Sequence, residues 1–503
     1  MDQRFDWFPL IDSELLNELS LIVTTSINNQ RNPKGQSKEQ LLVVKQQEEL
    51  IIKQLLSALY QSYFVIPKGT SRISIPLTSG QYTNSGYSYR IVKRVYDVFS
   101  SLGWIEIDKG IEVKGRVTRI SAKDSLVSRF DEYGLQWLPQ DPKPPELLVQ
   151  LRHYKNPEGK TKKAKGKKIE LTVPETDEVN QLRSSLYSYN KFLIQNCVAL
   201  DLNDDQLNDV GKAMQKKAKD EPWKNEEDEQ YVSTLDFYRL QLRRIFSRGS
   251  MELGGRFYGG WWQSIPSLYR PHITINGYKT VEIDYSSMSL RILYSQRGID
   301  VPPNEDLYDI GLDNWQGGDD PRRKPIKTYI NAVLNDETGN YRLAKDKQKL
   351  VGISHYQLHD LVLKRHQGIA DLLSSGVGLQ TQYIDSQIAE LVMQRMMEEG
   401  VLVLPIHDSF IVRKGYQADL ADCMQEAFTQ LTGAIGSVDI EGSRSSQHFG
   451  MQKETLDELN NNTSYGIYKG EEVYREIFER QSSVMNKYLL SWKAHIKESF
   501  FDC

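Results

Sequence analysis

The sequence predicts an α+β protein with more than one folded unit. Three observations carry that reading: short alternating segments bounded by turns, longer segments with apolar residues at helical spacing, and a lysine-rich stretch between an N-terminal block and the rest. At 503 residues the chain is long enough for two or more cores. Hydrophobic residues make up 39% and charged residues 26%, the balance of a globular protein and not of a disordered one. A formal charge of -4 says little about partners, so local clustering of Lys and Arg matters more. No apolar run is long enough to span a bilayer, and Met1-Asp2-Gln3-Arg4-Phe5-Asp6 lacks a signal-peptide apolar region. Cys197, Cys423 and Cys503 are scattered and odd in number. They fit a reducing cytoplasm and argue against a disulfide framework or zinc ribbon, leaving oxygen ligands for any metal. A cytoplasmic monomer with no membrane partner is expected.

The first 35 or so residues are mixed and close in the polar stretch Asn28 to Gly35, read as a loop. A helix is expected from Leu41 to Phe64, where Leu50, Ile51, Leu55, Leu59 and Phe64 recur at helical spacing. A second runs from Tyr89 to Leu102 on Ile91, Val95, Val98 and Leu102, and Gly103 ends it. Trp104 to Asp108 and Val117 to Ile120 alternate as two strands, with Lys109-Gly110 between them. Helix, turn, helix and ribbon is the order of a winged helix, with Arg90, Lys93 and Arg94 on the polar side of its second helix. DNA binding is the functional reading; a protein-docking module with a solvated cationic face is the other.

His153 to Lys168 is lysine-rich and reads as a flexible basic linker over 151–175, attractive to phosphates without regard to sequence. A helical region is expected over 176–248, interrupted by the charged stretch Lys216 to Glu229. In it Arg239 and Arg243, four apart, would share one helical face.

Thr280 to Asp284 alternates as a strand, and Ser287 to Arg297 reads as the helix after it, closed by Gly298. Val401 to Pro405 and Phe410 to Val412 form an apolar hairpin with His407 and Asp408 at its tip. Asp284 and Asp408 thus stand at strand ends with 408 − 284 = 124 residues between them, so only the fold can bring them together. Paired carboxylates on rigid backbone suit magnesium-dependent phosphoryl transfer, whose two ions lie about 3.5–4 Å apart. Asp284, the backbone at Tyr285, and Asp408 are the candidate metal ligands. Arg323 and Lys327 lie one helical turn apart and can both address a triphosphate, with Lys327 also placed to protonate the leaving group. Taken singly, an Asp at a strand end is a cap, a His-Asp tip is a turn, and an Arg-x-x-x-Lys helix face is solvated surface. Tyr258, Trp261 and Trp262 fit buried core better than a base-stacking platform.

The order of these pieces resembles the palm of family A DNA polymerases, the bacterial polymerase-one type. Gly254-Gly255-Arg256 matches a Thr-Gly-Arg segment, Trp261-Trp262-Gln263-Ser264-Ile265-Pro266 an Asn-Leu-Gln-Asn-Ile-Pro segment, and Asp284-Tyr285-Ser286 through Leu290-Arg291 an Asp-Tyr-Ser through Leu-Arg segment. Ile406-His407-Asp408-Ser409-Phe410 resembles the family's His-Asp-Glu motif, and more closely the His-Asp-Ser-Phe form of single-subunit phage and mitochondrial RNA polymerases. Asp306-Leu307-Tyr308 resembles the segment leading into the fingers, and Arg323 with Lys327 the nucleotide-binding fingers helix. The resemblance covers roughly residues 250–430.

It implies a right-hand polymerase over 176–450. The thumb-like helices would occupy 176–248, the palm 249–300 and 395–450, and the fingers 301–394. An N-terminal winged-helix-like module (1–150) would precede it and a C-terminal helical segment (451–503) follow. Two Mg²⁺ ions, nucleoside triphosphates and a DNA template with primer are the implied cofactors and partners. Arg256, Gln263, Arg270 and His407 would grip nucleic acid.

The pattern also departs from the family. Five residues past the metal aspartate, where the DNA polymerases carry a Glu that excludes the ribose 2′-hydroxyl, stands Ser289. Asn331 and Asn335 replace the usual fingers aromatic and Tyr, and would either bond a nucleotide or pack and cap the helix. No acidic set for a proofreading exonuclease precedes the palm. The expectation is a nucleotidyltransferase, a DNA-dependent DNA polymerase without proofreading. RNA synthesis or priming is the second reading, and a non-catalytic DNA-binding replication initiator the third.

Overall fold

The computed structural model describes residues 3–4, 10–11, 13–30, 37–68, 72–75, 88–108, 118–155, 167–220, 234–440 and 483–501. Lys109-Gly110, the middle of the lysine-rich run, the charged stretch beyond Asp220 and the segment around Tyr465 to Tyr468 lie outside them. The architecture is α+β, as composition and patterning predict.

The N-terminal part comprises β1 (Gln3–Arg4), α1 (Glu14–Gln30), α2 (Lys38–Tyr63), β2 (Ile73–Ile75), α3 (Tyr89–Ser101), β3 (Ile105–Asp108), β4 (Thr118–Ala122) and α4 (Asp124–Tyr133). Its strands form one sheet in the order β1-β2-β4-β3. α1 occupies most of the N-terminal stretch read only as mixed, because Leu15, Leu16, Leu19, Val23 and Ile27 give it a buried stripe. α2 begins ahead of its apolar run because Ser37 and Gln40 make a reciprocal capping box.

Next come β5 (Val149–Lys155), β6 (Lys167–Leu171), α5 (Asp177–Ile194), β7 (Val198–Leu200), α6 (Asp204–Asp220), β8 (Arg243–Phe246) and β9 (Gly254–Tyr258). Two expectations are corrected here. The stretch read as a linker is a β5–β6 hairpin, and β5 pairs in parallel with β8, giving the sheet order β6-β5-β8-β9. The helical reading of 176–248 also fails at its end: 239–242 is irregular chain and Arg243–Phe246 is strand β8, so Arg239 and Arg243 do not share a helical face. Gly255 sits at φ +78°, and a Cβ there would stand 2.9 Å from both Phe246 and Ser386.

The remainder comprises β10 (Ile273–Ile275), β11 (Tyr278–Tyr285), α7 (Met288–Gln296), α8 (Arg323–Asn335), α9 (Lys345–Val351), α10 (His355–Arg365), α11 (Gly378–Glu398), β12 (Val403–Ile406), β13 (Ser409–Arg413), α12 (Gln417–Thr432), β14 (Val438–Ile440) and α13 (Ser483–Phe501). The central sheet runs β12-β13-β11-β10-β7, and β14 pairs with the end of β11.

Two apolar cores meet near that end. One takes in the sheet with Met288 and Ile292 of α7. The other packs Leu290, Leu293 and Tyr294 of the same helix against Tyr308, Ile326, Ile330 and Leu358. α7 therefore joins two units, and the turn before it is held by both. α13 adds Met485, Tyr488 and Leu489 to the first core. No described helix is long and apolar enough to cross a membrane.

Candidate active site

Alternation along β11 buries Ile283 and Tyr285 on one side, which puts Glu282 and Asp284 on the other. Asp284 lies directly opposite Ser409 of β13. β12 and β13 are closed by the two-residue turn His407-Asp408, with Ile406 paired to Ser409 across it. His407 takes the left-handed region at φ 60°, uncommon for a side chain with a Cβ. The amide of Tyr285 donates to the carbonyl of Asp408 at 3.0 Å. The two aspartates predicted from sequence thus stand on neighbouring strand ends, one position apart.

A third carboxylate is also present. Asp439 of β14 is in register with Asp284 on the opposite edge of β11. Like charges so placed repel. Sequence analysis passed over it, although Ser437-Val438-Asp439-Ile440 alternates as a strand. Among the described residues no three His, Cys, Asp or Glu side chains form a ready-made metal cage. Two carboxylates completed by water and substrate phosphates is, however, how Mg²⁺ is ordinarily held.

The hairpin bearing Asp408 is fastened from below. Trp262 Nε1 and Gln263 Nε2 donate to the carbonyl of Pro405 at 3.1 and 3.0 Å, and the Tyr189 hydroxyl donates to that of Val403. Trp261 and Trp262 are buried core, as expected. Gln263 is corrected. Its Nε2 also donates to the Phe257 carbonyl, and its Oε1 accepts from the amides of Gly259 and Gly260. The side chain is buried with its bonding spent inside the protein, so it positions the hairpin and does not grip nucleic acid.

Arg256 Nε donates to Asp385 Oδ2 at 2.9 Å, and its Nη2 pairs with the same oxygen. Asp385 is buried on α11, and its Oδ1 meets no hydrogen-bond partner. Burial, offset by Arg256 and reinforced by the charge of Asp408, lifts the Asp385 carboxyl to about 6. Burial works against the Arg256 charge, yet Asp385 and Asp408 together hold it above the usual arginine range. Arg270 Nη1 pairs with Glu282 Oε1 at 2.9 Å, and the Ser409 hydroxyl donates to that same oxygen at 2.6 Å. Arg270 is therefore neutralised within the protein. Burial, then Arg256 and Arg270, hold His407 well below its normal pKa, so its ring is neutral. That ring meets Tyr258 edge-on at 5.5 Å.

Across from the strand ends lies the N-terminal turn of α8. Arg323 binds Asp306 through two bonds and lies 5.0 Å over the ring of Tyr308, with Lys327 Nζ 5.7 Å from the same ring. Tyr308 is 3% exposed. Burial raises its pKa, while Lys327, a hydrogen bond to Ser287 and Arg323 lower it and Asp408 raises it further. One ring therefore touches the cations of α8, the turn after Asp284, and the field of Asp408. Sequence analysis named Tyr308 only as part of a motif.

A cleft of about 900 Å³ opens here between Ser286, Ser437 and Asp439 on one side and Asp306 and Arg323 on the other. A second of about 480 Å³ adjoins it at Gly318 and Arg323 and is lined by Lys324, Lys327 and Asn331. Ser289 is half-buried on the first turn of α7. Of the two readings of Asn335, the structure shows the capping one and corrects the nucleotide-binding one: it is exposed, lines neither cleft, and donates Nδ2 to the carbonyl of Asn331 at 2.8 Å.

Arg90, Lys93 and Arg94 are exposed on α3, far along the chain from this site. Lys93 is paired with Asp97 at 2.6 Å and Arg94 with Glu48 at 2.5 Å.

No family model matches the sequence. No curated protein matches it either. Among solved structures, similarity is found to the POL domain of Pol1 from M. smegmatis in complex with DNA primer-template and dNTP. The TM-score is 0.29 and the sequence identity 11%, over 86% of this chain and 66% of that one. The chain thus spans a little under two thirds of that chain's length.

Proposed function

We propose that the chain is a template-directed nucleic acid polymerase, synthesising DNA on a DNA template without proofreading. The single observation that carries the reading is Tyr308, whose buried ring gathers Arg323, Lys327, Ser287 and the charge of Asp408 around one side chain. A helix of cations facing a pair of strand-end carboxylates suits a substrate that is both anionic and metal-bound. Asp284 and Asp408 would hold two Mg²⁺, which when bound activate a 3′-hydroxyl and screen the triphosphate. Arg323 and Lys327 neutralise the β- and γ-phosphates. The primer 3′-hydroxyl gives its proton to water as its oxygen bonds to the α-phosphorus, the bond to the pyrophosphate oxygen breaks, and Lys327 gives that oxygen a proton. Arg256, held by Asp385, orients the primer end beside Asp408, and neutral His407 offers it an uncharged contact. The N-terminal part, with its ribbon and the exposed face of α3, would be a winged-helix-like DNA-binding module.

RNA synthesis or priming is the second reading, favoured by the small side chain of Ser289 where a bulky one would exclude a 2′-hydroxyl. Primer extension with Mg²⁺, run with deoxy- and ribonucleotides on the full chain and on Asp284→Ala, tests both. Extension by the wild type, abolished in the variant, is the expected result. Incorporation of neither nucleotide by a protein that binds DNA would leave a non-catalytic initiator.

A further inference from the structure

Arg291 is the only charged residue of α7, and it is 3% exposed. A cation held out of water needs its hydrogen bonds made inside the protein. Here they are made to backbone. Nε donates to the Ser286 carbonyl at 3.1 Å, and Nη1 to those of Val301 and Pro302 at 3.3 and 3.2 Å. Nη2 donates to the carbonyls of Pro302, Pro303 and Glu305 at 3.2, 2.9 and 3.2 Å. A guanidinium has five N–H groups, so these carbonyls take all of them and leave none for a ligand.

The carbonyls belong to two segments. Ser286 lies in the turn after Asp284, and its amide donates to the Ser437 carbonyl at 2.8 Å, just ahead of β14. The other four lie on 301–305, which is neither helix nor strand. Pro302 and Pro303 carry no N–H, so this stretch can make few backbone bonds of its own. Its shape therefore depends on Arg291. Asp306 comes next and grips Arg323, and Tyr308 follows two residues on. Ser286 stands on one bank of the larger cleft, with Pro303 and Glu305 on the other. A single side chain thus joins the turn after Asp284 to the anchor of the cationic helix α8.

We propose that Arg291 is a positioning residue: through 301–305 it sets where Asp306 and Arg323 stand relative to Asp284, and so governs nucleotide affinity without touching the nucleotide. The identity of that ligand rests on the proposed function, while the linkage itself rests on the bonds of Arg291.

The test measures binding to the full chain under conditions where no chemistry occurs. Fluorescence of a labelled deoxyadenosine triphosphate with Mg²⁺, in the absence of primer, gives nucleotide affinity. Anisotropy of a labelled primer–template, in the absence of nucleotide, gives DNA affinity. Arg291→Ala should weaken the nucleotide about tenfold and leave DNA binding within about twofold. Methylguanidinium, which can refill the space between the same carbonyls, should restore nucleotide affinity to the Ala variant. Arg291→Lys keeps the charge with three donors in place of five, and should fall between the two. In primer extension it should raise the nucleotide KM with kcat within about twofold. Arg297→Gln, at an exposed position ending the same helix, should change neither affinity. Folded Arg291→Ala and Arg291→Lys that bind nucleotide as the wild type does overturn the proposal. So does a parallel loss of nucleotide and DNA binding that methylguanidinium leaves unrepaired, the result of a general loosening of the fold. Where Arg291→Ala fails to fold, Arg291→Lys decides by the same two affinities. A wild type that binds nucleotide and extends no primer removes the polymerase reading, while weakened nucleotide binding in the variants keeps the positioning role. A wild type that binds no nucleotide removes both.

Discussion

Arg323 Nε meets Asp306 Oδ2 at 2.9 Å while its Nη2 meets Oδ1 at 3.0 Å, a two-pronged grip that fixes the guanidinium over Tyr308. The grip leaves Nη1 directed elsewhere. On the proposed function, Asp306 therefore orients the arginine that would bind phosphate rather than merely neutralising it. Asp306→Ala is expected to raise the nucleotide KM about tenfold, near 1.4 kcal/mol, with kcat changed less than about twofold. Steady-state primer extension measures both. A lower KM in the variant would mean that Asp306 competes with the triphosphate, and the orienting role would be lost.

Ser289 lies half-buried one residue into α7, just past Ser287, whose backbone is left-handed at φ 55°. On the proposed function, a longer acidic side chain at this point would bar a 2′-hydroxyl. Ser289→Glu should lower the ratio of ribonucleotide to deoxynucleotide kcat/KM by on the order of 100-fold. An unchanged ratio would show that sugar choice is made elsewhere.

What could be read from sequence was whatever depends on near neighbours. Period-two alternation placed Asp284 and Asp408 at strand ends, and one-turn spacing placed Arg323 and Lys327 on one helix. Partners brought by the fold were illegible. Asp385 is an ordinary polar residue in the middle of a helix until Arg256, 129 residues away, comes to it. Gln263 looked like a ligand because its four internal bonds are made by backbone groups that carry no sequence signal. The β5–β6 hairpin was hidden by its lysines, since the strand is defined by pairing with β8 and not by an apolar run.

Arg244 shows how far such partners also govern stability. It is 1% exposed, with Nε donating to the Gly255 carbonyl at 2.8 Å, Nη1 to Glu390 at 2.5 Å and Nη2 to the Ser386 hydroxyl at 3.0 Å. Phe246 and Phe257 each lie 5.2 Å from its guanidinium carbon. Arg244→Ala strands Glu390 and opens a cavity between β8 and α11, a loss of about 3–5 kcal/mol in urea unfolding. Arg244→Met with Glu390→Met should recover most of it. If the single variant melts like the wild type, the pair is dispensable to the fold.

His366 gives the fold a pH dependence of definite sign. It is fully buried, with Nδ1 at 2.9 Å from the Tyr294 hydroxyl, and burial, then the charge of Arg365, lowers its pKa to about 4. An unfolded histidine titrates near 6.5. Between those values the unfolded chain binds the proton and the folded chain does not. The stability that follows from a neutral His366 is thus complete above about pH 6.5 and declines as pH falls toward 4, by about 3 kcal/mol in all. Urea midpoints at pH 7.5, 6 and 5 measure it in the wild type and in His366→Asn, which keeps a polar partner for Tyr294 but does not titrate. The variant should be the less stable protein at pH 7.5, and the gap should close as the solution is acidified. A gap that stays constant over this range would place the acid sensitivity in other groups.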